Sequence, residues 1–314
     1  MSITSAPQGG LSGTLAANLI CSASMLLWAA GLPAAQTLMP HVPPLLLAAA
    51  RIGLSGLFLL PIWWLMDGRQ AVFSAHWGQG CLIGGAGFAF GAYLMTVGQS
   101  MTGPVTVAVI AASMPVVGIA IEVLLDGRRL TAGLMLGGLL SLAGGFIVVT
   151  GAPGEAGIRL GLGALFCFGS VLAFTLGSRW AVTSFPDLTS IGRTTVTLAG
   201  AAICILVVAL GSLVTGGAQP DWAALGWIDF GALIFYSVSG MAISQLLWIY
   251  AVGRLGIGLS SLHINTTPFY VMLIVFAFGG AWSWGQAGSA ALVGLGVLIA
   301  QGLIPLPGQR KKQA

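Results

Sequence analysis

The sequence predicts an all-α integral membrane protein: ten transmembrane helices as a 5+5 inverted-topology repeat, with both termini cytoplasmic. Three observations predict it. Of the 314 residues, 57% are hydrophobic and 6% charged, with a mean hydropathy of +0.99. Soluble domains carry roughly 25% charged residues, so this chain cannot cover itself with a polar surface. Apolar stretches of about 20 residues, the length that crosses a bilayer as a helix, recur from end to end. Finally, one local pattern occurs twice: Pro44 leads to Arg51 and Pro186 to Arg193, in apolar segments 142 residues apart.

The spans read in order as 15–38, 44–65, 78–98, 103–124, 131–150, 159–180, 187–211, 229–252, 256–279 and 286–304. The first keeps its place as a helix because Met1–Gly13 holds no Lys or Arg, and so lacks the charged start of a cleaved leader. Turn formers such as Met66-Asp67-Gly68 and Asp126-Gly127 punctuate the short connections. The segment 220–228, with Trp222 and Trp227, reads as interfacial. Basic residues set the orientation. With a cytoplasmic N-terminus, Arg69, Arg128, Arg129, Arg179, Arg254, Arg310, Lys311 and Lys312 lie inside and Arg159 outside, as the positive-inside rule requires. The chain thus divides into a cytoplasmic tail 1–14, a first five-helix unit 15–150, a second unit 159–304 and a basic cytoplasmic tail 305–314.

The repeat extends beyond the Pro–Arg pairs. Pro115 and Pro268, in the fourth and ninth spans, are 153 residues apart, and the same offset relates Gly87 to Gly240, Gly103 to Gly256 and Gly127 to Gly280. Five spans is an odd number, so the second unit enters the membrane inverted, a plan that many secondary transporters use. On these features the chain resembles the EamA family of the drug/metabolite transporter superfamily over nearly its whole length. It departs from that family in the connector after the fourth span, where Gly127-Arg128 and Gly280-Ala281 stand in place of Gly-Glu. The resemblance implies a bacterial inner-membrane exporter or exchanger of amino acids or related metabolites, with a central cavity between the halves.

Several residues are candidates for that work. Arg51 and Arg193 each lie about 10 Å inside a helix end. They either face a cavity or gate, or reach the nearer interface and helix-end carbonyls. Pro115 and Pro268 release the carbonyls of Ala111 and Ile264, which supports either hinges that open toward a substrate or passive packing kinks. Around Pro268, Ser260, Ser261, His263, Asn265, Thr266 and Thr267 form the densest polar run in any span. Asn265 and Thr266 are expected to line the cavity, while His263 reads as a proton site or a structural histidine. By the resemblance, Trp28, Phe88, Tyr93, Gln99, Tyr236, Gln245, Trp248 and Tyr270 sit in spans that pack centrally. Trp63, Trp64, Trp282 and Trp284 fit an interfacial belt.

Other classes of function fit less well. The four cysteines fall in apolar runs without CxxC spacing and read as small buried hydrophobes. No HExxH, P-loop or mid-membrane carboxylate is present, so neither a metal nor another cofactor is expected. The glycine run 85–91 lies inside an apolar span, where glycines serve helix packing. A membrane-embedded enzyme or a non-transport structural membrane protein are the alternatives. The expected partners are a small-molecule substrate and the lipid bilayer, not nucleic acid, for a monomer or weak dimer.

Overall fold

The computed structural model describes residues 11–127 and 155–300, with scattered helical positions between 132 and 147. No strand occurs among the described residues. Seven of the described helices are long and apolar enough to cross a membrane. The elements are α1 (Leu11–Leu38), α2 (Pro44–Phe73), α3 (Trp77–Thr102), α4 (Pro104–Ala111), α5 (Met114–Asp126), α6 (Glu155–Thr183), α7 (Ser190–Val214), α8 (Trp227–Ile257), α9 (Ser261–Ala277) and α10 (Trp284–Ala300). Much of the fifth span, most of the N-terminal tail and all of the C-terminal tail expected from the sequence lie outside the described residues.

Local chemistry sets the helix ends. Pro44 and Pro104 occupy the first turn of α2 and α4, where a missing N–H leaves no hydrogen bond unmade. Thr189 caps α7 by accepting the Gly192 N–H at 3.2 Å. Asp229 caps α8, its Oδ2 accepting the Gly226 N–H at 2.9 Å. Gly103 (φ 85°) turns the chain from α3 into α4, and Gly256 (φ 78°) does so from α8 toward α9. A side chain would be strained in that left-handed backbone.

Glycines also decide how the helices pack. Apolar surface provides no drive to associate in lipid, so close backbone approach supplies dispersion contact instead. A Cβ on Gly240 in α8 would stand 3.1 Å from the Gly31 Cα in α1, and one on Gly177 in α6 would stand 2.9 Å from the Gly87 Cα in α3. On Gly84 in α3 it would meet the Thr197 carbonyl and the Ala201 amide of α7. The glycine run of α3 thus serves helix packing, as its sequence context suggested. The packed pairs include α1 with α8, α3 with α6, α2 with α7, α2 with α8, α3 with α7, α1 with α9 and α4 with α6.

Two of the long apolar helices change pitch along their length. Gly84–Ala89 in α3 and Phe235–Ile243 in α8 are π-helical. A π turn shifts the backbone pairing and frees carbonyls for other donors, and such turns cluster at functional sites. Pro115 and Pro268 were expected to kink continuous helices. Instead each sits in the first turn of a new helix after a break: a turn at Ala112–Ser113 before α5, and a 3-10 stretch Ser261–Thr266 that opens α9.

Candidate functional site

A cavity of about 650 Å³ of empty space, its mouth included, lies at these breaks and is lined from α1, α3, α4, α5, α6, α8 and α9. From α1 come Ser24, Met25 and Trp28; from α6, Cys167, Ser170, Val171, Phe174 and Ser178; from α8, Met241, Ser244, Gln245 and Trp248. Met95, Val107, Ala111, Met114 and Ile264 complete it. The α6 and α8 sets are spaced three and four residues apart, so each is one stripe of a helix. In α8 that stripe starts at the end of the π segment, which sets the rotation of the following turns.

None of these lining residues carries a charge. Two of the lining hydroxyls, on Ser24 and Ser244, donate into the scaffold. Ser24 Oγ donates to the Ser244 carbonyl at 2.6 Å, and Ser244 Oγ to the Gly240 carbonyl at 3.0 Å. Trp248 Nε1 donates to Ser178 Oγ at 3.1 Å. Gln245 is 8% exposed and its Nε2 has no partner. A second cleft, lined by Leu38, Leu47, Trp222 and Asp229 among others, lies at the His41 end of the bundle. There the Asp221 N–H donates to the His41 carbonyl at 2.8 Å.

Of the residues singled out from sequence, the structure brings Trp28, Gln245 and Trp248 together in this cavity, with the Ala111 and Ile264 positions that the prolines flag. Pro115 has no N–H to return to the Ala111 carbonyl, whereas the Ile264 carbonyl is taken by the Thr267 N–H. Gln99 is fully buried but braces α3 to α1, donating to the Leu32 carbonyl at 2.7 Å and to Gln36 Oε1 at 3.4 Å. Tyr93 is 36% exposed and lies outside the lining. Phe88 is buried against Phe174, centroids 5.6 Å apart, and Tyr270 packs on the core.

The expectation that Asn265 and Thr266 line the cavity does not match their placement. A 3-10 stretch has three residues per turn, so residues three apart share a face. Ser261, Ile264 and Thr267 are buried together, while Thr266 is exposed and donates to its own His263 carbonyl at 2.7 Å. Half-buried His263 faces the Ser260 carbonyl at 3.3 Å through Nδ1, and Asn265 Oδ1 is buried without a partner. Only Ile264 from this run reaches the cavity. Conversely, the methionines and the Ser170, Phe174 and Ser178 stripe were missed. Their i, i+4, i+8 spacing was the available signal, but helix packing produces the same spacing.

The two arginines part ways. Arg51 does not reach toward the interface: it is fully buried, Nη1 donating to Tyr236 Oη and Nη2 to the Gly240 carbonyl, both at 3.0 Å. Its guanidinium carbon also stands 4.1 Å from the Tyr236 ring centroid, in cation–π range. Arg51 therefore ties α2 to the π segment of α8, where Ser55 Oγ also donates to the Ser237 carbonyl at 2.8 Å. Arg193 instead follows the helix-end reading. Its Nε and Nη2 donate at 2.8 Å to the carbonyls of Phe185 and Pro186, just ahead of its own helix.

Long apolar helices around an internal, uncharged cavity define a multi-pass membrane protein with room for a small solute. Residues 15–150 match the EamA-like transporter family. An uncharacterized transporter, YyaM of Bacillus subtilis (strain 168), is 28% identical over 235 residues, 72% of this chain and 73% of its own length. A solved crystal structure that is 20% identical covers 92% of this chain and 97% of its own with a TM-score of 0.68, a likeness of fold. The family match and the relative support assigning the chain to the EamA family, within the drug/metabolite transporter superfamily, and thus to the membrane transporters.

Proposed function

We propose that the protein is a secondary transporter that moves small organic solutes across the bacterial inner membrane by alternating access, exporting or exchanging amino acids or related metabolites. The cavity between the two halves, lined from both and placed at both proline breaks, carries this reading. The packing pattern supports an inverted 5+5 repeat. Advancing each helix by one five-span unit turns the α1–α8 pair into α6–α3, α2–α8 into α7–α3, and α1–α9 into α6–α4, all of which are packed pairs. The 153-residue offset carries 84–89 onto 237–242, inside the second π segment, and Gly103 onto Gly256 in nearly the same backbone conformation. Two related halves around a midplane site can rock about it and expose it to each side in turn.

The test is counterflow in proteoliposomes with labelled amino acids and amines, with pH varied across the membrane. Saturable, competable exchange is expected. Flux that rises linearly with concentration would overturn the carrier reading.

A further inference from the structure

Resting on the reading of this cavity as the transport site, we infer that the buried Arg51 guanidinium, behind the wall formed by α1 and α8, selects solutes that bear a carboxylate and turns that carboxylate toward Ser24 and Ser244.

The wall is thin at this point. Arg51 Nη2 and Ser244 Oγ each donate to the Gly240 carbonyl at 3.0 Å, so one backbone oxygen separates the guanidinium from a hydroxyl that lines the cavity. Met241, the next residue, lines it too. A guanidinium keeps its proton inside a protein. Both acceptors on Arg51 are neutral, a phenol and a carbonyl, and its Nε is buried without a partner. Such dipoles spread the charge without cancelling it, and no lining side chain adds a charge of its own. A carboxylate that enters loses much of its hydration. Against Ser244 it would stand about 7 Å from the guanidinium, where attraction at an effective dielectric of about 20 favours it roughly fiftyfold. Ser244 Oγ can turn to meet it, because the Gly240 carbonyl keeps the Arg51 N–H and is not left unpaired. Ser24 Oγ, donating to the Ser244 carbonyl at 2.6 Å, stands beside it.

An ammonium group finds its partners elsewhere in the lining. Trp28, Phe174 and Trp248 offer aromatic faces. The Ser170 and Ser178 hydroxyls on α6 supply lone pairs, as does Oε1 of Gln245, whose Nε2 is buried. The cavity thus suits a zwitterion although none of its own side chains is charged. Arg51 touches no solute and acts as a positioning residue, through its field and through the Gly240 carbonyl.

Isosteric pairs test this. L-Phenylalanine and L-leucine are compared with their amides, which keep the shape and the ammonium but lose the carboxylate, at about pH 6, where the amines are protonated. Binding to the full-length protein in nanodiscs is read by calorimetry and exchange by counterflow. The acids should bind about tenfold to fiftyfold tighter than the amides. Arg51→Met should remove most of that preference by weakening the acids while the amides bind as well or tighter, a split that lost packing would not produce. Arg51→Lys keeps the charge and should keep most of the preference. Ser244→Ala leaves the bonds of Arg51 in place and should cut the preference about fivefold to tenfold, which decides the matter if Arg51→Met does not fold. Equal binding of acid and amide, no binding by either pair, an unchanged preference in Arg51→Met, or an unchanged preference in Ser244→Ala would overturn the proposal. Exchange of acids and amides alike would sink it and leave the carrier standing. Preferential binding of the acids, lost as described in the variants but without exchange of any solute, would leave it standing and sink the carrier.

Discussion

The Arg51 guanidinium has two neutral acceptors and an aromatic face, and it touches both a first-half and a second-half helix. Hydrogen bonds from a charged donor contribute about 1.5–3 kcal/mol each, and removing the donor leaves buried acceptors unpaired. Arg51→Met should thus destabilise the purified protein by about 3 kcal/mol, measured by unfolding in detergent. Arg51→Lys should rescue it only in part, because an ammonium cannot reproduce the planar fork that reaches Tyr236 Oη and the Gly240 carbonyl together. Arg193→Ala removes bonds to carbonyls of its own loop in a more exposed setting, so a loss of about 1 kcal/mol is expected. Equal losses at the two sites would contradict the different roles assigned here. Sequence marked both arginines with the same Pro–Arg spacing. That one anchors across halves and the other caps locally depends on which helix stands opposite, and spacing carries no record of it.

Glycines and prolines control the elements. A methyl on Gly84 would collide with backbone of α7, which no rotamer change can relieve. Gly84→Ala should therefore lower the yield of folded, monodisperse protein severely. Gly78→Ala, one turn and a half earlier with nothing within 4 Å, should be neutral or slightly stabilising. The comparison is read by size-exclusion profile at equal expression, and similar profiles would remove the packing role of Gly84. Pro115 and Pro268 stand where two broken helices restart beside the cavity. Replacing either by alanine restores an N–H and favours continuous helix, so exchange should slow. Unchanged exchange rates in both variants would exclude a hinge role. The sequence located these prolines and their shared offset. It could not give the 3-10 winding of 261–266, which moves His263 and Thr266 off the buried face, because period-three and period-four patterns are indistinguishable over six residues.

At the scale of the molecule, two loop contacts fix which connections share a face. The Asp221 amide bonds the His41 carbonyl, and Thr189 Oγ1 donates to Asp67 at the opposite end, where Trp63 Nε1 also donates to Asp67 at 3.0 Å. With a cytoplasmic N-terminus, His41 and Trp222 face outward and Asp67 and Thr189 inward. In a cysteine-free background, Trp222→Cys should react with an impermeant maleimide in intact cells. Phe73→Cys, equally exposed, should react only after permeabilisation. The reverse pattern would invert the orientation without disturbing the paired loops.

What the sequence determined by itself is what depends on local chemistry: the apolar spans and their ends, the duplicated prolines and glycines, and the resemblance to a transporter family, since bilayer thickness and backbone sterics act on each segment separately. Only the tertiary structure decided which polar groups are spent on neighbours and which remain free. It turned Gln99 into a brace, Tyr93 outward and Arg51 into a tie between halves. It left Gln245 Nε2 buried without a partner, because a side chain's partners are set by helices far away in the chain.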